Sequence, residues 1–90
     1  MQIAFDPEKD RRNIAKHGVS LAEAAQLDWS TAVDWEDHRF DYSEERRCAL
    51  GLSGGRVLYV AYVDRKNVRR IISLRKANAR EVLRYVHGKE

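Results

Sequence analysis

The densest hydrophobic pattern lies in the second half of the chain, where three strand-length runs follow one another. They are Arg46–Leu52, Arg56–Val63 and Val68–Arg75. Residues 53–55 (Ser-Gly-Gly) and 64–67 (Asp-Arg-Lys-Asn) separate them, and both have the length and residue types of hairpin turns. Such short connections join antiparallel neighbours, so the runs predict a three-stranded antiparallel meander. Positions 57 to 63 are all apolar, which places the middle run at the centre, covered on both faces.

The first third of the chain predicts a short strand and two helices. Residues 3–5 (Ile-Ala-Phe) read as a strand that stops at Asp6, whose side chain can cap a helix running from Pro7 to about His17. Gly18 then suits a left-handed C-cap. Residues 20–23 (Ser-Leu-Ala-Glu) match a capping box, so we expect a second helix to begin at residue 21, with Trp29 anchoring its end.

A closing helix is predicted from Asn78, a capping residue with Glu81 three positions later. Its apolar residues recur at helical spacing and are expected to form the buried stripe: Ala79, Val82, Leu83 and Val86. The opposite side presents Arg80, Arg84 and His87, with Tyr85 on a flank. This arrangement predicts a helix that packs on the sheet and shows its cations to solvent.

Residues 29–45 lack a period and read as a loop-rich segment with a short strand near Thr31–Trp35. The element order then predicts an α+β fold for residues 1–90, a length that suits one domain. We expect the first two helices on one face of the meander and the last helix partly covering the other. Cys48 is the only cysteine and is expected to be a buried core residue, so a reducing, cytoplasmic location is the simplest interpretation. No apolar run approaches the ~20 residues that span a bilayer.

Charge divides the chain more sharply than its total of +3 indicates. Residues 1–45 carry a formal charge of −6 and residues 46–90 carry +9. Pairing with the acidic half can absorb part of this surplus but not all of it. A surplus of this size favours a polyanionic ligand for the basic half, and RNA is the polyanion that we expect.

The basic strand 68–75 carries Arg69, Arg70 and Arg75 around a β-branched core. Arginines in a strand are costly when buried without a partner, so this strand is expected to line an anion-binding surface. Regular alternation would put Arg70 on one face and Arg75 on the other, unless a β-bulge intervenes. Which of the two is structural therefore stays open at this point.

Several blocks of the sequence resemble the BrnT toxin family. They are residues 6–7 (Asp-Pro), 16–20 (Lys-His-Gly-Val-Ser), 41–46 (Asp-Tyr-Ser-Glu-Glu-Arg), 55–58 (Gly-Arg-Val-Leu) and 70–77 (Arg-Ile-Ile-Ser-Leu-Arg-Lys-Ala). The resemblance implies a RelE-like fold and a ribonuclease toxin of a bacterial type II toxin–antitoxin pair, which inhibits translation and growth. It also implies a BrnA-like antitoxin with a ribbon-helix-helix portion, so that the toxin meets DNA only through the antitoxin. The sequence differs from the family pattern at Ser43, Leu74 and Asn78, and Leu74 is expected to add bulk beside the site.

The residues themselves allow RNA cleavage without a metal or other cofactor. The 2′-hydroxyl attacks the adjacent phosphate, and an arginine fork can stabilise the more anionic phosphorane. We assign this role first to Arg75, which ends the strand beside the last helix, and next to Arg70, on the strength of the family block. His17 is the first candidate for proton transfer because imidazole titrates near neutral pH. Further RNA contacts are predicted from five side chains: Arg46, Lys76, Arg80, Arg84 and Tyr85, the last by stacking on a base.

Two other classes of protein fit parts of the sequence. A binding module without chemistry would use the same basic half. A metal-dependent nuclease would use the acidic segment, in which Asp34, Glu36, Asp37 and His38 are possible ligands, although their spacing matches no metal-binding motif. If the protein is a toxin, we expect its antitoxin to lay an acidic segment over the groove between the third strand of the meander and the last helix.

Overall fold

The computed structural model describes residues 1–88. Five strands, two α-helices and two short 3-10 helices follow one another in these residues: β1 (Gln2–Ala4), α1 (Pro7–His17), the 3-10 helices Leu21–Gln26 and Trp29–Thr31, β2 (Val33–Glu36), β3 (Arg47–Ser53), β4 (Arg56–Arg65), β5 (Val68–Lys76) and α2 (Ala79–Gly88). None of these helices is long and apolar enough to cross a lipid bilayer.

The predicted meander is the centre of a larger sheet. Strands β3, β4 and β5 pair antiparallel through two tight turns, in which Gly54, Gly55, Lys66 and Asn67 all have positive φ. Two consecutive residues with positive φ match the twist of a hairpin, which explains the glycines in the first turn. The sheet nevertheless has five strands in the order β1-β5-β4-β3-β2, because β1 adds parallel to β5 and β2 adds antiparallel to β3. The meander is therefore not a separate three-stranded sheet: the short strands predicted near residues 3–5 and 31–35 extend it at its two edges, a pairing that the sequence did not predict.

Strand β5 contains an irregularity that decides how its arginines are placed. Ser73 pairs with Ala61, but the next pair along β4 joins Tyr62 to Ile71, so Ile72 is an extra residue. Beyond this β-bulge the alternation of side chains is reset. As a result Arg70, paired with Val63, lies on the same face of the sheet as Arg75, paired with Tyr59.

One face of the sheet is covered by α1 and the first 3-10 helix. Its core includes Leu21, Leu58, Tyr62 and Leu74, all of which are nearly inaccessible to solvent. Leu74 thus adds its bulk to this core and not to the face that carries Arg75, which corrects the expectation from the sequence. Asn13 of α1 is also buried here.

Asn13 completes the edge of β5. Strand β1 pairs with β5 only as far as Arg70, so the backbone groups farther along this edge lack a strand partner. The Asn13 amide group donates to the carbonyl oxygens of Leu74 (2.7 Å) and Val19 (2.8 Å), and its oxygen accepts from the Leu74 amide at 3.2 Å. The Asn13 side chain therefore makes the hydrogen bonds that a neighbouring strand would make at Leu74, and it fixes α1 on the sheet.

Helix α1 has the predicted bounds, with Asp6 accepting from the Glu8 amide at 2.9 Å and Gly18 in the left-handed conformation at φ 72°. The predicted second α-helix is instead a 3-10 helix. The Ser20 hydroxyl accepts from the Ala22 amide at 3.1 Å and not from Glu23. Glu23 turns away to accept from the Ser53 hydroxyl at 3.0 Å, so the reciprocal capping box does not form.

Helix α2 crosses the other face of the sheet, in an orientation that the sequence did not predict. The side chain that packs into this core is Tyr85, which is 5% exposed, together with Cys48, Leu50, Tyr59 and Ala61. The expected buried stripe faces solvent, since Val82, Leu83 and Val86 are all exposed. Gly88 explains the close approach, because a Cβ there would lie 2.7 Å from the Val33 side chain. Glu81, Tyr85 and Gly88, spaced by four and three residues, thus turn towards the sheet.

Candidate functional site

A cavity of about 470 Å³ lies beside α2 on the face that carries Arg75. It is lined from four strands, from the loop of residues 37–46 and from α2, by Trp35, Glu36, Asp37, His38, Arg39, Cys48, Tyr59, Arg75, Glu81 and Arg84. Three of these side chains are arginines that come from three different elements. The fold therefore brings together cations that are far apart in the sequence.

Arg75 occupies the end of β5 and is held on two sides. Its guanidinium lies 4.1 Å from the centre of the Tyr59 ring, directly across the strand pair. Two of its nitrogens donate to the Glu81 carboxylate at 2.8 and 3.0 Å. The hydrogen bonds to Glu81 raise the pKa of Arg75, and Arg75 lowers the pKa of Glu81, so both groups are charged at neutral pH.

Glu81 is fixed by the start of α2. Its carboxylate accepts from the Asn78 amide at 2.9 Å, while its own amide donates to the Asn78 side chain at 2.8 Å. The capping box predicted for this helix is confirmed. No local pattern indicated that the same carboxylate also binds Arg75, because capping the helix is already a sufficient role for a glutamate at this position.

Asp37 anchors the loop that closes one side of the cavity. This aspartate is only 5% exposed and accepts hydrogen bonds from three Arg39 nitrogens at 2.8–3.1 Å and from the Tyr42 hydroxyl at 3.2 Å. The hydrogen bonds from Arg39 hold the pKa of Asp37 well below its usual range. Arg39 is thereby kept at the cavity, close enough to Arg75 for its charge to lower the pKa of Arg75 slightly against the larger effect of Glu81.

Aromatic rings form the floor of the cavity. The guanidinium of Arg84 lies 3.7 Å from the centre of the Trp35 ring, and the Trp35 and Tyr59 rings are 6.4 Å apart. The Tyr59 hydroxyl and the Cys48 sulfur are 2.9 Å apart. Burial raises the pKa of Tyr59 to about 12 and also raises that of Cys48, so both groups keep their protons at neutral pH. Neither is an anion that would repel a phosphate.

The two histidines near this region have different positions. His38 lines the cavity, with its Nδ1 atom 3.6 Å from the Glu36 carboxylate. His17 ends α1 and does not line the cavity. Its pKa is lowered, first by partial burial and then by the charges of Lys16 and Arg75. The charge of Arg75 therefore reaches His17, but the structure does not bring the imidazole into the cavity itself.

Arg70, the second candidate for stabilising the phosphorane, and the remaining predicted RNA contacts are divided between the two faces of the sheet. Arg70 lies exposed on the cavity side of the sheet. It is roughly 13 Å along β5 from Arg75, because the bulge at Ile72 leaves four paired steps of about 3.3 Å each between them. Arg46 reaches the same side, with its guanidinium 4.8 Å from the centre of the Tyr42 ring, and its Nε atom forms no hydrogen bond within residues 1–88. Lys76 pairs with Leu58, whose side chain belongs to the opposite face.

Two further predictions concern α2. Arg80 is exposed one helical turn before Arg84, as expected. Tyr85 is buried in the core beneath α2, so its ring is not accessible to a nucleobase, which corrects the predicted stacking role. The physical reason is the rotation of α2, which turns Tyr85 and not the aliphatic stripe towards the sheet.

The acidic segment is not assembled as a metal centre within the described part of the chain, residues 1–88. No group of three His, Cys, Asp or Glu side chains there could hold a metal ion. Asp34 lies on the opposite side of the sheet from the cavity and accepts from Arg47 and Tyr62 at 3.2 Å each. Asp37 is enclosed by Arg39 and Tyr42. Asp34 is thus separated from the other three predicted ligands, which line the cavity, and of those three Asp37 is held by Arg39.

Several residues of the site were not found from the sequence. Tyr59 was read as part of the covered central strand, Trp35 as the end of a short strand, and Arg39 lies in a segment without a period. The available signal for Tyr59 was its place in a central strand opposite the basic strand, which gives ring and guanidinium a common face. Arg39 had no comparable signal, because its position depends on the tertiary contacts of Asp37.

The fold and the site define a small α+β protein with a cavity in which three arginines, three acidic side chains and a histidine surround an aromatic floor. A family model described as "Ribonuclease toxin, BrnT, of type II toxin-antitoxin system" matches residues 5–81. The chain therefore belongs to the BrnT family of ribonuclease toxins, which confirms the resemblance seen in the sequence.

A solved structure supports the same assignment. The chain is similar to the ribonuclease toxin BrnT of Brucella abortus, known from a 1.1 Å crystal structure, with a TM-score of 0.69 and 26% sequence identity. The match covers 87% of this chain and 97% of the Brucella chain. A search among curated protein sequences finds no match.

Proposed function

We propose that this toxin is an endoribonuclease that cleaves RNA in the cavity beside α2 without a metal ion. The observation that carries this proposal is the convergence of Arg39, Arg75 and Arg84 with Glu81 and His38 around one cavity. Cleavage by the 2′-hydroxyl of RNA requires an acceptor for one proton, a donor of another and cations for the phosphorane, and the cavity holds all three kinds of group.

In the proposed reaction the 2′-oxygen attacks phosphorus and the bond to the 5′-oxygen breaks. The proton of the 2′-hydroxyl goes to a base, and an acid protonates the departing 5′-oxygen. The products are a 2′,3′-cyclic phosphate and a 5′-hydroxyl. Arg75 stabilises the added charge because its plane is fixed on Tyr59 and its fork is rigid. Arg39 and Arg84 provide charge from the loop and from α2.

Glu81 is ionised and next to Arg75, so it is our candidate base. Proton donation to the leaving oxygen is assigned to a histidine, and we place His38 first because it lines the cavity. His17 remains the proposal made from the sequence, and its lowered pKa is linked to Arg75. Replacing each histidine separately distinguishes the two.

Outside the cavity, RNA is proposed to follow the cavity-side face of the sheet. Arg70 and Arg46 would hold the backbone there, because the bulge at Ile72 keeps Arg70 on this face. Arg80 would extend the contact along α2. Lys76 remains a proposed contact at the strand end, where its long side chain is exposed.

The finer biology is also proposed. The toxin would act in the cytoplasm, inhibit translation by cutting RNA, and be related to RelE-like toxins. Its proposed inhibitor is a BrnA-like antitoxin with a ribbon-helix-helix portion, which would provide the only contact with DNA. Membership of a type II toxin family supports a protein antitoxin.

The deciding experiment is incubation of the purified protein with RNA in EDTA, scored for new ends. We expect cleavage to persist and to leave cyclic phosphate and 5′-hydroxyl ends. Loss of cleavage in EDTA would indicate a metal-dependent reaction instead. RNA binding without new ends would favour the non-catalytic module, which would use the same arginines.

A further inference from the structure

Helix α2 exposes the side that its sequence makes apolar. Leu83 is 58% exposed, Val86 49% and Val82 37%. Val86 is a neighbour of both other residues on the helix surface, since it follows Val82 by four positions and Leu83 by three. We call this set of three the α2 stripe. Contiguous aliphatic side chains on a surface typically mark an interaction site.

The fold gives no other reason for the exposure of the α2 stripe. Leu52, at the end of β3, is 37% exposed and belongs to the same side of the sheet by its pairing with Val57. The core beneath α2 is already filled by Tyr85 and Tyr59. The sheet therefore has no room to bury the stripe while Tyr85 stays in place, so that only a second molecule could cover it.

The charges beside the α2 stripe distinguish between possible partners. Arg80 and Arg84 lie along its border on the side of the cavity, whereas the carboxylate of Glu81 is directed to Arg75. Two copies of α2 packed antiparallel about a two-fold axis would bring both basic borders to the same side and would repel. A partner with carboxylates along one edge of an apolar surface fits this charge pattern.

We propose that the α2 stripe is the docking surface for the antitoxin, through an amphipathic helix whose apolar face covers Leu83 and Val86. Carboxylates along one edge of that helix would meet Arg80 and Arg84. This inference rests on the proposed function, because it takes the antitoxin as the partner. The hydrophobic part of the interface would then lie outside the groove between β5 and α2, and the charged part would lie at the edge of that groove.

The proposed footprint also accounts for inhibition. The guanidinium of Arg84 lies on the Trp35 ring in the wall of the cavity. An antitoxin carboxylate that binds Arg84 therefore stands at the mouth of the cavity and competes with RNA phosphate. The α2 stripe supplies affinity from apolar burial, and the arginine border supplies the steering of an acidic partner.

The test replaces Leu83 and Val86 together by glutamine, which keeps helix propensity and removes the apolar surface. The matched control is Ile14→Gln, an aliphatic residue that is 45% exposed on α1, across the sheet. The probe is the protein encoded by the reading frame next to the toxin gene, titrated calorimetrically against each toxin. We expect the Kd of the double variant to rise on the order of a hundredfold, since it loses two central apolar contacts, and that of the control to stay within about twofold.

RNA cleavage by the free double variant should equal that of the wild type, because neither residue lines the cavity. Arg80→Glu alone should slow association and weaken its dependence on salt. If the double variant has a lower Tm than the wild type, the Kd of the single variant Leu83→Gln is compared instead, because Leu83 is the most exposed residue of the stripe.

Two results would overturn the inference. One is an unchanged Kd for the double variant. The other is a wild-type toxin that dimerises alone, with the double variant monomeric, which would make a second copy the occupant. A wild type that binds its partner through the stripe but cuts no RNA would instead refute the proposed function and leave the docking surface standing.

Discussion

Replacing Arg75 tests the proposed reaction most directly. Arg75→Ala removes a donor for the phosphorane, and removal of one such donor typically costs about 10²–10³ in kcat, or about 3–4 kcal/mol of transition-state stabilisation. We therefore expect cleavage of a short RNA, measured in EDTA under single-turnover conditions, to fall by about two to three orders of magnitude. Arg75→Lys keeps the charge but loses the planar fork, so its rate should stay well below that of the wild type.

The structure changes the expected effect of Arg75→Ala on stability. From a place on an anion-binding surface, little loss of stability is expected, but Arg75 packs on Tyr59 and pairs with the mostly buried Glu81. The cation–π contact alone is worth about 0.5–2 kcal/mol, and each kcal/mol shifts the Tm of a domain of this size by about 4–8 °C. We expect a fall of several degrees. Rates must therefore be compared well below the Tm. For stability alone, the control is Arg75→Ala with Glu81→Gln, which leaves no unpaired carboxylate. A wild-type rate in folded Arg75→Ala would remove Arg75 from the mechanism.

Three further predictions follow from the contacts of single residues. His38→Ala should slow single-turnover cleavage by about 10²-fold or more, the usual contribution of general acid–base catalysis, and His17→Ala should leave the rate nearly unchanged; the reverse outcome would return proton transfer to His17. Asp37 has a pKa below its ordinary value of 3.8, so the unfolded state binds more protons as the pH falls through and below that value, and the free energy of unfolding should drop there. Asp37→Asn should have a lower free energy of unfolding at neutral pH and should lose less of it on acidification, as measured by urea denaturation. An acid sensitivity equal to that of the wild type would mean that Asp37 is not the source of the pH dependence. Asn13→Ala should lower the free energy of unfolding by about 2–4 kcal/mol, because it leaves buried backbone groups of Leu74 and Val19 without partners. A change of less than about 1 kcal/mol in the urea midpoint analysis would mean that water replaces the amide.

Local signals predicted the parts of the fold that local chemistry decides. Helix α1 begins after Asp6 and ends before Gly18 because the cap and the left-handed residue act within a few positions. The hairpin turns also follow from their own residues. The type of the helix after Ser20 was not predicted, because this segment is held by a contact distant in sequence. The Asp28 amide, just after the 3-10 helix, donates to the Leu52 carbonyl of β3 at 2.9 Å.

The candidate site was predictable only where a regular strand or helix carried it. Arg75 was found because it ends a basic strand, and Arg84 because it lies on the polar side of a helix. The common face of Arg70 and Arg75 depends on the bulge at Ile72, which no residue type in the strand announces. Arg39 depends on a buried aspartate in an aperiodic loop. These features are set by tertiary contacts, so periodicity could not locate them.

The orientation of α2 links the site to the docking surface. The sheet-facing positions Glu81 and Tyr85 lie roughly a third of a turn from the centre of the α2 stripe. A rotation that buried Leu83 and Val86 would carry Glu81 away from Arg75 and Arg84 away from Trp35. The helix can therefore either bury its apolar stripe against the sheet or hold Glu81 and Arg84 at the cavity, but it cannot do both within one chain. The apolar pattern of the sequence favours the orientation that buries the stripe, whereas the fold adopts the orientation that places Glu81 and Arg84 at the cavity. Such a conflict between local and global preference is typical of functional sites. A partner that covers the α2 stripe resolves this conflict, because it buries the aliphatic side chains without turning the helix.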